Sequence, residues 1–181
     1  MKKLLSALCV SVIILSGCDI MGNSKKETEE ENIGEGYFKE DTLKTKEAEF
    51  KIKETKLVES FSQDDDEGPY IAFIYEYTNK SKENKSASKE WDDYFEAHND
   101  DKNVEKRLFS GYVSVSDKDS KYYKYKENGD LLVKPKDNVT SMMIYKIDKK
   151  EGKVILRGHT SDKTSDSESK TLGEKVINIK K

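Results

Sequence analysis

From Thr45 onward the apolar residues of this chain recur with a period of two, and that spacing constrains the fold more than any other feature. In Ile71-Ala72-Phe73-Ile74-Tyr75-Glu76-Tyr77-Thr78, residues Ile71, Phe73, Tyr75 and Tyr77 share one strand face. Ala72 and Ile74 keep the opposite face apolar before Glu76 and Thr78 make it polar, as expected of a central strand. Pro69 suits its start, where a missing ladder N–H is tolerated. Val139 to Ile147 repeats the pattern, with Val139, Met143, Tyr145 and Ile147 on one side. Shorter candidates are Glu47 to Leu57, Gly111 to Ser116, Tyr122 to Lys126, Val154 to Arg157 and Lys175 to Ile179. Polar turn clusters separate them, among them Asn128-Gly129-Asp130 and the run Thr160 to Lys170, which should join two antiparallel strands. Short strands between polar turns, with no long helix, predict an all-β antiparallel sandwich or barrel. One segment departs from the pattern. Ser88 can cap a helical turn near residues 88 to 95, in which Trp91, Tyr94, Phe95 and His98 recur at helical spacing.

The N-terminus obeys different rules. Lys2 and Lys3 precede an apolar run from Leu4 to Leu15, interrupted only by Ser6 and Ser11. As a helix that run would be about 18 Å long against about 30 Å of bilayer hydrocarbon, too short for a permanent span. Leu15-Ser16-Gly17-Cys18 closes it and resembles the lipobox of bacterial lipoprotein signal peptides. That resemblance implies cleavage before Cys18 and a diacylglyceryl thioether on its sulfur. The alternatives are an ordinary secretory signal with a chance cysteine, or a buried N-terminal helix. The remaining cysteine, Cys9, lies within the apolar run, so the mature chain would hold no disulfide. Two acyl chains on Cys18 would anchor the protein stably on the outer face of the cytoplasmic membrane.

The segment after Cys18 is polar and acidic, with Glu29-Glu30-Glu31 and then Gly34 and Gly36, and cannot bury enough apolar area to offset its ordering entropy. The expected organisation is a signal peptide over 1–17, the lipidated cysteine with a disordered tether over 18–42, and one β-domain over 43–181. Loss of residues 1–17 removes two lysines from a chain of net charge −3, leaving −5. The basic residues are lysines apart from Arg107 and Arg157 and are interleaved with carboxylates, so nucleic acid is excluded as a partner.

The stretch from about Phe50 to Leu156 resembles a family of exported Gram-positive lipoprotein domains of unknown function, family 5067, with an immunoglobulin-like architecture. The resemblance rests on Tyr75-Glu76-Tyr77-Thr78-Asn79-Lys80-Ser81, on Ser86-Ala87-Ser88 with Trp91-Asp92-Asp93-Tyr94-Phe95-Glu96-Ala97, on Asp101-Lys102-Asn103-Val104-Glu105, and on Val133-Lys134-Pro135-Lys136. Such domains often place glycine after the Lys-Pro pair, where this chain has Lys136. The family implies an immunoglobulin-like β-sandwich with one short helix and a cell-surface address. It brings no catalytic residues.

Few constellations carry chemistry. No Gly-x-Ser-x-Gly elbow is present, and the two histidines are assigned to packing or surface (His98) and to a solvent-exposed position (His159). Hard oxygen ligands cluster at Asp64 and Asp66 and at Asn99, Asp101 and Asn103, without the spacing of an EF-hand, and are weak calcium candidates. No cofactor is expected. Tyr122, Tyr123 and Tyr125, alternating with lysines on a charged edge strand, are the candidate binding surface. The reading is a non-catalytic, lipid-anchored binding module for an extracellular protein or cell-wall polymer. The alternatives are an enzyme or accessory acting on cell-wall polymers, and a small solute-capturing lipoprotein.

Overall fold

The computed structural model describes residues 34–61, 68–101, 103–110, 115, 121–148, 152–161 and 169–179. Eleven strands and two helices follow in chain order: β1 Tyr37–Lys39, β2 Thr42–Lys44, β3 Ala48–Val58, β4 Tyr70–Asn79, β5 Lys85–Ser86, α1 Ala87–Tyr94, β6 Phe95–Asp101, β7 Val104–Leu108, α2 Lys121–Asp130, β8 Leu132–Val133, β9 Asn138–Lys146, β10 Gly152–His159 and β11 Thr171–Ile179. The first sheet has the order β1-β2-β3-β4-β9, the second β11-β10-β6-β7, and β5-β8 is a minor pair. Every pairing is antiparallel. With β3, β4 and β9 standing for strands A, B and E, and β11, β10, β6 and β7 for G, F, C and C′, the arrangement is an immunoglobulin-like sandwich.

One apolar core joins the two sheets. Phe50, Phe73, Tyr75, Tyr77 and Tyr145 come from the first, and Phe95, Ala97, Val154 and Leu156 from the second. Trp91 of α1 lies at its centre, fully buried, with its ring 4.2 Å from that of Phe95 and 4.3 Å from that of Tyr75. As the two-residue period requires, Phe73 and Tyr75 face this core together. The apolar second face of β4 has its own cover: Ala72 and Ile74, with Met142 and Ile144 of β9, form a smaller cluster on which Tyr122, Tyr123 and Tyr125 of α2 pack. β4 is therefore buried on both faces, which explains why its alternation is broken by Ala72 and Ile74.

Local chemistry sets the boundaries. Ser86, rather than Ser88, caps α1, its Oγ accepting from the backbone N–H of Lys89 at 3.5 Å and donating to the carbonyl of Gly129 at 2.8 Å. α1 ends where Phe95 turns extended, and β6 begins at once. At the end of β4, the buried Asn79 donates its amide to the carbonyls of Glu83 (2.7 Å) and Val133 (2.8 Å), while its oxygen accepts from the N–H and hydroxyl of Ser81. This explains the strand-ending Thr78-Asn79-Lys80-Ser81: Asn79 ties the turn to β8. The same turn receives Lys136, whose N–H donates to the Asn79 carbonyl at 2.7 Å.

Several expectations are corrected. Tyr122 to Lys126 is not a strand: it lies in α2, and the fold has two helices. Over so short a run the Lys-Tyr alternation is compatible with either period, and burial of three tyrosines on the outer face of β4 and β9 selects the helix. Asn128-Gly129-Asp130 is the end of that helix rather than a turn. The expected tether to residue 42 contains β1 and the first residue of β2; Phe38 within it and Leu43 just beyond it, either side of a turn with positive φ at Glu40 and Asp41, enter the core. Val115, in the expected strand Gly111 to Ser116, packs in the smaller cluster outside any strand, and residues 111–114 and 116 lie outside the described residues. β10 and β11 pair antiparallel as expected, but Val176 on that edge faces solvent instead of the core.

Candidate binding face

Strand alternation puts one set of side chains of the second sheet into the core and the other onto an uncovered outer face. Phe95, Ala97 and Asn99 of β6 point inward, so Glu96 and His98 point outward. The adjoining strands contribute Glu105 and Arg107 (β7), Arg157 and His159 (β10) and Glu174 (β11). Both arginines and both histidines of the chain meet here.

The contacts are specific. The Arg157 guanidinium grips both carboxylate oxygens of Glu105, with Nη2 at 2.9 Å, and its Nε lies 2.6 Å from Glu174. The hydrogen bonds that Arg157 donates to Glu105 and then to Glu174 raise its pKa, and the bond from Arg157 holds the Glu105 carboxyl below its ordinary value. His98 stands between two carboxylates, Nδ1 at 2.9 Å from Glu105 and Nε2 at 3.3 Å from Glu96, while Arg107 Nη2 is 3.0 Å from the other oxygen of Glu96. His159 approaches Glu96 from the far side at 3.9 Å. Its Nε2 is buried and makes no hydrogen bond among the described residues. Burial pushes its pKa down, Glu96 pulls it up, and Arg157, His98 and Arg107 push it down again.

Exposed ion pairs contribute only about 0–1 kcal/mol each, so this network does little for stability. Its effect is order: long side chains that would otherwise sample many rotamers are held in one arrangement, which lowers the entropic cost of meeting a polar partner.

Neither histidine lies where the sequence put it. His98 is on β6 rather than on a helix, and the side chains of His98 and His159 are only 13% and 15% exposed. The signal was present as three dyads at strand spacing, Glu96-x-His98, Glu105-x-Arg107 and Arg157-x-His159, which become neighbours once β6, β7 and β10 pair.

The other candidates are dispersed. Tyr122, Tyr123 and Tyr125 are half-buried on α2 rather than displayed on an edge strand. The Lys56 ammonium is 3.3 Å from the Tyr122 hydroxyl, and the ammonium groups of Lys56 and Lys121 stand 5.9 Å and 5.4 Å from that ring's centroid. Glu127 hydrogen-bonds Tyr123 and raises its pKa. Asn99 is buried within β6, whereas Asp101 and Asn103 are exposed at its end and in the turn to β7. Among the described residues no three His, Cys, Asp or Glu side chains are grouped to hold a metal ion. Asp64 and Asp66, and Leu15, Ser16, Gly17 and Cys18, lie outside the described residues. An open groove of about 580 Å³ runs between β3 and β11, lined by Ile52, Thr55, Ile177 and the Asp41–Lys175 ion pair. A second, of about 400 Å³, lies beside Tyr94.

Residues 23–160 match the family described as domain of unknown function (DUF5067). A structure described as a candidate lipoprotein from Staphylococcus aureus is similar at 30% identity and a TM-score of 0.65, over 80% of this chain and 92% of that one. An NMR structure of a protein from Enterococcus faecalis, at 12% identity and a TM-score of 0.61, covers 81% of this chain and 95% of its own and shares the fold. No curated protein matches.

Proposed function

This chain belongs to the DUF5067 family, and from that membership we propose that it is a non-catalytic binding module, lipid-anchored through Cys18 on the outer face of the cytoplasmic membrane, that meets an extracellular protein or cell-wall polymer through the outer face of its second sheet. The observation that carries this reading is the ordered Glu96, His98, Glu105, Arg107, Arg157, His159 and Glu174 network on a sheet face that no helix of the described residues covers. Arginine and a pre-ordered polar surface suit a recognition face. The lipobox-like Leu15-Ser16-Gly17-Cys18 and the resemblance to a candidate lipoprotein support the anchor.

Two measurements separate the parts of the proposal. Cys18→Ala should abolish membrane retention and the diacylglyceryl mass on the mature chain; unchanged retention, with no such mass on the wild type, overturns the anchor. Immobilised protein lacking residues 1–18 should retain a cell-surface component that its Arg157→Ala counterpart loses. Equal retention by both removes this face from the proposal, and no retention by either removes the binding role.

A further inference from the structure

Three cationic or basic groups converge on the single carboxylate of Glu96. One oxygen takes Arg107 at 3.0 Å, and the other is 3.3 Å from His98 Nε2 and 3.9 Å from His159 Nε2. The surrounding carboxylates are engaged elsewhere. Glu105 of β7 holds Arg157 and His98 Nδ1, and Glu174 of β11 holds Arg157 Nε. Lys170, beside the Thr171 that pairs with His159, is bound to Glu35. The charged and titratable groups that act on His159 are therefore Glu96 and His98 on β6, Arg107 on β7 and Arg157 on its own strand, and among the described residues Glu96 is the carboxylate paired with it.

We propose that the outer face of the second sheet is a proton-responsive surface, in which protonation of His159 draws Glu96 toward it and away from His98 and Arg107. A neutral His159 leaves its buried Nε2 without a hydrogen bond, so Glu96 stays with its other two partners. A charged His159 carries a positive charge 3.9 Å from the shared oxygen, and closing that gap gives its buried Nε2 the hydrogen bond it otherwise lacks. With both imidazoles neutral the seven side chains carry two positive charges and three negative ones; each added proton moves that balance toward the positive. The burial that lowers the pKa of His159 keeps it neutral near pH 7 and makes acidification the trigger. The change of surface charge follows from the free protein alone; only its consequence for a partner rests on the function proposed above.

The full-length chain in detergent micelles offers a direct test, because its only two histidines give two imidazole Cε1–H resonances by NMR. His159, assigned by its absence in His159→Gln, should titrate at lower pH than free imidazole. The Arg107 guanidinium and His98 signals should inflect at the His159 midpoint in the wild type and lose that inflection in His159→Gln. Glu96→Gln, with His159 intact, should move the His159 midpoint to still lower pH, since the carboxylate that favours the charged ring is gone. An inflection of the His98 and Arg107 signals that persists unchanged in His159→Gln, or a His159 midpoint indifferent to Glu96→Gln, would overturn the proposal. Trp91 fluorescence reports whether each variant keeps its core, and the wild-type titration stands without any variant.

Discussion

Trp91 of α1 donates its indole N–H to the hydroxyl of Tyr145 on β9 at 2.8 Å, both side chains being buried. This bond fastens the α1 connection between the sheets to the far strand of the first sheet. Burial pushes the Tyr145 hydroxyl well above its ordinary pKa, with the Trp91 hydrogen bond acting in the opposite direction, so it remains a neutral acceptor.

Tyr145→Phe removes the acceptor and leaves the indole N–H unsatisfied in the core. The expected cost is about 1–3 kcal/mol. Urea unfolding followed by Trp91 fluorescence measures it, and an unchanged midpoint would mean that the bond contributes nothing to stability.

Phe73→Ala opens a cavity where the ring packs on Trp91 at 5.8 Å and on Tyr145 at 6.0 Å. Such truncations cost about 3–5 kcal/mol, against a typical total of about 5–15 kcal/mol. The two cysteines are Cys9 and Cys18, so no disulfide crosses the sandwich to compensate, and the variant should be close to unfolding. A thermal melt displaced by a degree or two would place Phe73 outside the core.

Lys136, directly after Lys134-Pro135, has φ of +71°, the left-handed region in which a Cβ is strained. Lys136→Gly relieves that strain and keeps the N–H bond to the Asn79 carbonyl, at the expense of a more flexible unfolded chain. Stability should rise by up to about 1 kcal/mol on denaturant titration, and a clear loss would show that the lysine side chain supports the turn.

Asp92 has its pKa raised by burial, opposed by a hydrogen bond from Ser110 and by the charge of Arg107. A carboxyl that holds its proton more tightly when folded than when unfolded makes stability fall as pH rises through its titration range, so ionised Asp92 is a cost at neutral pH. Asp92→Asn should therefore melt higher than wild type at pH 7, and the advantage should vanish below about pH 3, where both forms of Asp92 are protonated. An advantage that persists at low pH would locate the gain in packing instead of charge.

What the sequence disclosed depended on how long each pattern ran. β4 and β9 could be read because nine or ten residues are enough for the period of two to declare itself, and because Phe73 and Tyr145 mark one face. β1 and β2 could not, since three residues carry a single inward side chain each, Phe38 and Leu43, and their meaning comes only from pairing, β1 with β2 and β2 with β3. α2 was misassigned because burial on the sheet, rather than any local preference of Tyr and Lys, decides its conformation. The charged face was missed for a related reason. The expected helix, near residues 88 to 95, ends close to where α1 does, but grouping His98 with Trp91, Tyr94 and Phe95 at helical spacing concealed the strand alternation that sets Glu96 and His98 beside Arg107 and Arg157.

The chain enters the described fold through β1, a three-residue ladder at the edge of the first sheet. Its one inward ring, Phe38, packs edge-on against Phe95 of the second sheet, 5.3 Å between centroids, and its backbone lies so close to Gly173 that a Cβ there would sit 2.1 Å from the Phe38 carbonyl oxygen. A load applied at the N-terminal end of β1 meets a ladder of three pairs, Tyr37 with Lys44, Phe38 with Leu43 and Lys39 with Thr42, against ten between β3 and β4. Such a load is therefore expected to part β1 from β2, and to draw Phe38 from the seam between the two sheets, before it separates β3 from β4.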